Sequence, residues 1–372
     1  MRLVGRCGRR RTIARVQAVV YDRPAATPVV REIAPPQCPA DGVVVRVRAT
    51  GVCRSDWHAW KGHDPVPLPM VPGHEFSGTV DEVGSGVTSW KVGDRVTVPF
   101  VLGCGRCEYC AAGEQQVCPD QSQPGFTIPG SWAELVAVPA AETNMVRLPG
   151  AVDFVVGATL GCRFATAFRA VRTHGQVEAG QVVAVHGCGG AGLSAVMIAK
   201  ALGARVIAVD LSEEARRLAG VLGADDVVDP VATPDVAARI RELTGGGAHV
   251  SLDAVGHPAV AASSVTCLRR RGRHVQVGLL LGADATAGLP MDLVVSRELQ
   301  VLGSHGMPAG DYPVMLEMIA RGDLDPRRLV HSLIDLAAAP AALMAMDDPS
   351  GILGMTVISA GMPRDAATTS GC

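Results

Sequence analysis

Lysine is nearly missing from this 372-residue chain. It occurs only at Lys61, Lys91 and Lys200, and arginine carries the remaining positive charge. The 34 basic and 36 acidic side chains leave a formal net charge of −2, which argues against a protein that coats nucleic acid or an anionic membrane. Aromatic residues make up 3% of the chain, so aliphatic side chains must build the core. Although 48% of the residues are hydrophobic, 43 glycines and 25 prolines break them into short runs, and none reaches the roughly 18 consecutive apolar residues of a membrane span. Internal repeats and low-complexity blocks are absent. At roughly 150 residues per domain the length suggests about two domains, and the Gly-, Val- and Ala-rich composition leans towards an α/β architecture.

A secretory signal peptide is not expected either. Arg2, Arg6, Arg9, Arg10, Arg11 and Arg15 precede the first acid, Asp22, but no continuous apolar segment follows them. Residues 1–15 therefore read as an arginine-rich, disordered extension, and the expected location is the cytoplasm. Eleven cysteines are too few for a disulfide scaffold, yet four of them fall within fifteen residues. In a chain without a secretion signal such clustering reads as metal before disulfide.

From residue 16 the chain shows short β-type runs punctuated by Gly and Pro, at 17–21, 42–49, 78–83, 95–100 and 132–138. The rhythm changes near Leu160 to alternating helices and strands. A helix is expected over 163–171 and another over 193–202. Strands are expected at 182–185, 205–209, 226–228, 250–254, 273–277 and 299–302. That alternation predicts a parallel, doubly wound sheet. A helix at 312–321 and a final strand at 355–359 are expected to return to the first domain. The division is thus 16–163, 164–303 and 304–372, after the extension.

Gly187-Cys188-Gly189-Gly190-Ala191-Gly192 follows an expected strand, opens an apolar helix, and precedes Asp210 at the end of the next strand. Gly187 allows the tight turn, Gly189 lets the backbone approach a pyrophosphate, and Gly192 permits close helix–strand packing. Asp210 would accept hydrogen bonds from ribose hydroxyls and repel a 2′-phosphate, which favours NAD over NADP. Cys104, Cys107, Cys110 and Cys118 offer four thiolates within one loop, a closed tetrahedral shell for a structural zinc; an iron–sulfur cluster uses the same donors. A second set, Cys53, His74, Glu75 and Cys162, is dispersed; its two sulfurs and one imidazole would leave a metal one open position. Ser55, Asp56 and His58 lie beside Cys53 in sequence.

These motifs resemble the zinc-dependent alcohol dehydrogenases of the medium-chain dehydrogenase/reductase superfamily, over residues 16–359. The pieces that carry the resemblance are Gly73-His74-Glu75-x2-Gly78-x5-Gly84-x2-Val87, the four-cysteine loop, Cys53-Arg54-Ser55-Asp56, Cys162 and the glycine turn. The resemblance implies a GroES-like catalytic domain with a Rossmann domain inserted. It also implies two zinc ions per subunit: a catalytic one on Cys53, His74 and Cys162, with Glu75 as an alternative ligand, and a structural one. Asp56 would orient His74. Ser55 and His58 would relay the hydroxyl proton, and Trp60 and Phe100 would line the substrate pocket. Arg54 would approach the pyrophosphate, beside Gly187, Gly189, Gly190, Gly192 and Asp210. The implied reaction interconverts alcohols with aldehydes or ketones by hydride transfer to nicotinamide. The span of about 43 residues between Cys118 and Cys162 resembles the tetrameric branch of the family. A polyol dehydrogenase and a dehydrogenase of hydroxymethyl-thiol adducts are the alternatives.

Overall fold

The computed structural model describes residues 15–286, 288–348 and 353–359. The arginine-rich segment 1–14 and the end of the chain lie outside the described residues.

The Val-rich runs become strands. β1 (Val16–Val20) pairs antiparallel with β2 (Val29–Ile33). β3 (Val43–Val52) runs antiparallel to β4 (Phe76–Val83), and β4 in turn to β5 (Arg95–Thr97). β6 (Leu135–Val138) also lies on β3, and β7 (Val146–Arg147) flanks β5. Val43, Val45 and Val47 turn alternate β3 side chains into a core with Phe76, Val80, Val96, Val136 and Val138, the period of two that a pleated strand imposes. β2 has no clear sequence signal because Val29 and Val30 are exposed and flank charged residues. The run expected over 95–100 leaves the sheet after Thr97, and that expected over 132–138 joins it only at Leu135.

Parallel strands follow: β8 (Val182–His186), β9 (Arg205–Val209), β10 (Asp226–Val228), β11 (Ala248–Asp253), β12 (Leu268–Gln276) and β13 (Gln300–Gly303). Their order is β10-β9-β8-β11-β12-β13, so the chain reverses direction between β8 and β11. Ligands bind at such a switch point, beyond the carboxyl ends of the strands. β14 (Val330–Ile334) and β15 (Met355–Ser359) then rejoin the first sheet, where β15 pairs antiparallel with β3 from Thr356 opposite Val52 to Ser359 opposite Ala49. The expected return of the tail is therefore observed, and the architecture is a β-rich GroES-like unit joined to a Rossmann sheet.

The helix expected over 163–171 is the middle of a longer one, Phe154–His174. Asp153 caps its start by accepting the Val156 N–H at 2.9 Å. Gly157 within it hides the pattern; a Cβ there would stand 2.9 Å from Leu148 and Ser77. Two π-helical segments, Leu160–Phe164 and Ala170–His174, interrupt the regular winding. By length and composition this helix would span a bilayer, but it lies mostly buried inside the molecule, with Leu160, Phe164 and Phe168 packed against Val183, Leu193 and Val196.

His186, the last residue of β8, is 2% exposed, and neither ring nitrogen has a hydrogen-bond partner. Burial pulls its pKa from 6.5 down to about 4, against the opposing pull of Asp253. Between these values the unfolded imidazole is protonated and the folded one is not, so stability should fall as pH drops from 6.5 to about 4. At about pH 5 the loss would be about 2 kcal/mol relative to about pH 7.5. Urea unfolding should show this loss in the natural chain and not in His186→Leu; an equal loss in both would assign the acid sensitivity to other groups.

Candidate metal and nucleotide sites

Three donors come from three different elements. Cys53 ends the turn out of β3 and caps the helix Arg54–Lys61. His74 follows Gly73, whose φ of 101° suits glycine and where a Cβ would meet Trp132 at 2.3 Å. Cys162 sits in the first π-helical segment of Phe154–His174, a local winding found often at functional positions. One ligand atom from each lies within 4.8 Å of the others.

Asp56 ties the cluster together. One carboxylate oxygen accepts the Cys53 N–H at 2.9 Å. The other accepts the Gly73 N–H at 3.1 Å and lies 2.9 Å from His74 Nδ1. His74 Nε2 is left buried with no hydrogen-bond partner, a costly state for a polar atom. A cation held between Nε2 and the two sulfurs removes that cost. Two thiolates and an imidazole suit Zn2+, with one coordination position to spare, so the residues fit the metal. The Cys162 thiol donates towards Cys53, which holds Cys53 well below and Cys162 well above the ordinary thiol range. Burial penalises the imidazolium of His74, yet the Asp56 carboxylate and the Cys53 sulfur raise its pKa well above 6.5.

Cys104, Cys107, Cys110 and Cys118 also bring their sulfurs within 4.8 Å of one another. The Cys104 and Cys110 sulfurs are 4.0 Å apart, and those of Cys107 and Cys118 are 3.6 Å apart. The Cys104 N–H points at Cys118 Sγ and the Cys110 N–H at Cys107 Sγ, at 3.3 and 3.4 Å. Backbone donors aimed at sulfur favour thiolates, and the Arg106 backbone leads in lowering the Cys104 pKa to about 7. The four clustered thiols thus come together, as do Cys53, His74 and Cys162 of the dispersed set.

Glu75 takes up a different posture from a free alternative ligand. It is fully buried and bound by Arg163, whose Nε lies 3.0 and 3.1 Å from the two carboxylate oxygens. The Arg163 backbone N–H donates to the same carboxylate at 3.0 Å, and Glu75 is not among the atoms of the three-donor cluster.

At the nucleotide turn, Gly187 has a φ of 92°, and a Cβ on Gly192 would stand 1.7 Å from the Gly187 carbonyl oxygen. Gly189 caps the helix Gly190–Ala201, so its unpaired N–H groups face the mouth of the turn, where anions bind. Asp210 lies at that mouth and accepts the N–H groups of Cys188 and Ser212 at 2.6 and 2.8 Å. Arg216 is engaged with the carbonyls of Asp210 and Leu211 and with Asp229.

The remaining expected residues divide. Ser55 Oγ lies 3.8 Å from Cys53 Sγ, and Phe100 stands edge-on to His74 with centroids 6.0 Å apart. His58 Nδ1 lies 3.2 Å from His63 Nδ1. Trp60 is a packing residue: it is 3% exposed, clusters with Tyr21, Met70 and Trp132, and gives its indole N–H to the Ala26 carbonyl. Arg54 stacks on Trp57 at 3.7 Å and donates to the Met346 carbonyl; none of its contacts reaches the glycine turn. Sequence reasoning missed His63, Phe126, His305 and Arg163. Phe126 packs on His74 at 5.2 Å, and His305 on Phe100 at 5.1 Å. Only Arg163 left a trace in the sequence, as a charge in an otherwise apolar stretch beside Cys162.

Residues 39–150 match the family described as Alcohol dehydrogenase GroES-like domain, and residues 190–321 match Zinc-binding dehydrogenase. An alcohol dehydrogenase of Geobacillus stearothermophilus is 37% identical over 79% of this chain and 86% of its own length. A D-arabitol-phosphate dehydrogenase of Enterococcus avium is 34% identical over 83% of this chain and 86% of its own. The solved alcohol dehydrogenase TADH from Thermus sp. ATN1 superposes with a TM-score of 0.85 at 29% identity, covering 92% of this chain and 99% of that one. Two donor clusters, a nucleotide turn at the sheet's switch point and these likenesses lead to one conclusion: the chain belongs to the zinc-binding alcohol dehydrogenases of the medium-chain dehydrogenase/reductase superfamily.

Proposed function

We propose that the chain oxidises small alcohols to aldehydes or ketones, and runs the reverse reduction, using NAD(H) and two zinc ions per subunit. The observation that carries this reading is the meeting of Cys53, Cys162 and the unpartnered His74 Nε2 in a chain that also has the nucleotide turn. When bound, zinc supplies a Lewis acid that lowers the pKa of a coordinated hydroxyl, and nicotinamide supplies the hydride acceptor.

The protein does the rest. Asp56 holds the His74 ring so that Nε2 faces the two sulfurs. Ser55 would accept the hydroxyl proton, and His58 would carry it onward to solvent. Burial leads in holding the His58 pKa below 6.5, so at neutral pH its ring is uncharged and ready to accept. His63, beside it, offers a second imidazole towards solvent. Phe100, with His305 and Phe126, walls the site with aromatic surface and keeps water from the reacting carbon. Arg163 keeps the Glu75 charge compensated next to the cluster.

NAD is the proposed dinucleotide because the Asp210 carboxylate occupies the ribose end of the turn, while Arg216 is already paired with Asp229. The short span before Cys162 supports a homotetramer, and the chain is proposed to act in the cytoplasm. The arabitol-phosphate relative keeps polyols among the substrates worth trying, although Cys162 stands where polyol enzymes of this superfamily usually place a glutamate.

A panel of alcohols should give NADH absorbance with the purified chain, and no signal with any alcohol or carbonyl would overturn the reading. Asp210→Ala should raise the NADP-to-NAD ratio of kcat/KM by about tenfold or more, since it removes a charge from the site of the 2′-phosphate. An unchanged ratio would place cofactor selection elsewhere.

A further inference from the structure

Arg163 divides its donors between two places. Its Nε, Nη2 and backbone N–H all serve Glu75. Its Nη1 makes no hydrogen bond among the described residues and lies against the nucleotide turn. A Cβ built on Gly190 would stand 2.6 Å from Arg163 Cδ and 3.2 Å from Nη1. Gly190 is the first residue of the helix that follows the turn, where the backbone N–H groups gather. The side chain keeps 11% of its surface exposed. On the other side of the pair, a Cβ on Gly51 would meet Glu75 Oε2 at 2.3 Å and Arg163 Nη2 at 3.2 Å. Small residues on both flanks thus leave room for this one guanidinium.

We propose that Arg163 binds the diphosphate of the dinucleotide through Nη1 while its other nitrogens hold Glu75 beside the metal-ligand cluster. The inference rests on the nucleotide-binding reading above and assigns it a residue. Arg54, the arginine that the family resemblance placed at the phosphates, is instead committed to Trp57 and Met346. A guanidinium matches a phosphate in shape and charge, and a charge-assisted contact of this kind is about twice as strong as a neutral one. Because Glu75 fixes the fork in place, little side-chain freedom is lost when the phosphate arrives. Arg163 is also joined by a single peptide bond to the ligand Cys162, so one short segment serves both metal and cofactor.

The test is calorimetric binding of ADP-ribose, which carries the adenosine and diphosphate but no nicotinamide and so cannot turn over. The variants are Arg163→Lys, Glu75→Gln, and the double Glu75→Gln/Arg163→Gln. The double variant avoids stranding a buried carboxylate, which alone would threaten folding. The double variant should bind ADP-ribose about tenfold or more weakly than Glu75→Gln, which retains the guanidinium. Arg163→Lys should recover part of the loss. Adenosine, which lacks phosphate, should bind all the variants alike. Equal ADP-ribose affinity with and without Arg163 would overturn the proposal, as would a parallel loss of adenosine affinity, which would mean that Arg163 only shapes the turn. Failure of the natural chain to bind ADP-ribose at all would instead overturn the nucleotide reading, and this inference with it.

Discussion

Cys162→Ala should abolish turnover and remove one metal ion per subunit, while the circular dichroism spectrum and the four-thiol site stay intact. The reasoning is geometric. Cys53, His74 and Cys162 are three donors from separate elements, and an imidazole with one thiolate makes a far weaker site than the full set. Alanine in a helix has no steric or propensity penalty, so the helix Phe154–His174 should persist. What is lost is the third donor, and His74 Nε2, which has no hydrogen-bond partner of its own, is left beside one thiolate. Metal analysis and an alcohol assay on the same preparation decide the matter. Retained metal with retained activity would refute the ligand assignment; retained metal without activity would separate binding from chemistry.

Cys107→Ala should act the other way round, on stability before catalysis. Its sulfur lies 3.6 Å from that of Cys118 and accepts the Cys110 N–H, so its loss unlinks a loop with little apolar packing of its own. A metal bound by such a loop contributes directly to folding. We expect a fall in Tm of about 5 °C or more, loss of the second metal ion, and a specific activity of the surviving folded fraction close to that of the natural chain. An unchanged melting curve would count against a structural metal.

Much of this was readable in the chain because it lies in short windows. The four clustered cysteines, Gly73-His74-Glu75 and the glycine turn each put their chemistry within about fifteen residues, and local spacing survives folding. The doubly wound sheet was legible for the same reason, since its strands are apolar runs between recognisable helices. Residues whose neighbours are distant were not. Trp57 gives its indole N–H to Asp347, and Arg54 donates to Met346, both contacts spanning about 290 positions. The returning tail therefore decides where the helix Arg54–Lys61 turns its Arg54 and Trp57, and no local pattern announces that. Arg163 is a similar case: its partner Glu75 lies 88 positions away.

The helix Phe154–His174 carries the third sulfur while packing against the strands of the nucleotide half. A polypeptide cut just before Phe154 would keep the four-thiol loop whole, but of the dispersed cluster it would keep only Cys53 and His74. Capture of the second ion thereby reports reunion: the first fragment should hold one metal ion by itself, and a second, chelator-resistant one should appear only on mixing it with its complement. An assembly divided in this way can register, through its ion, that both halves have been made and have found each other.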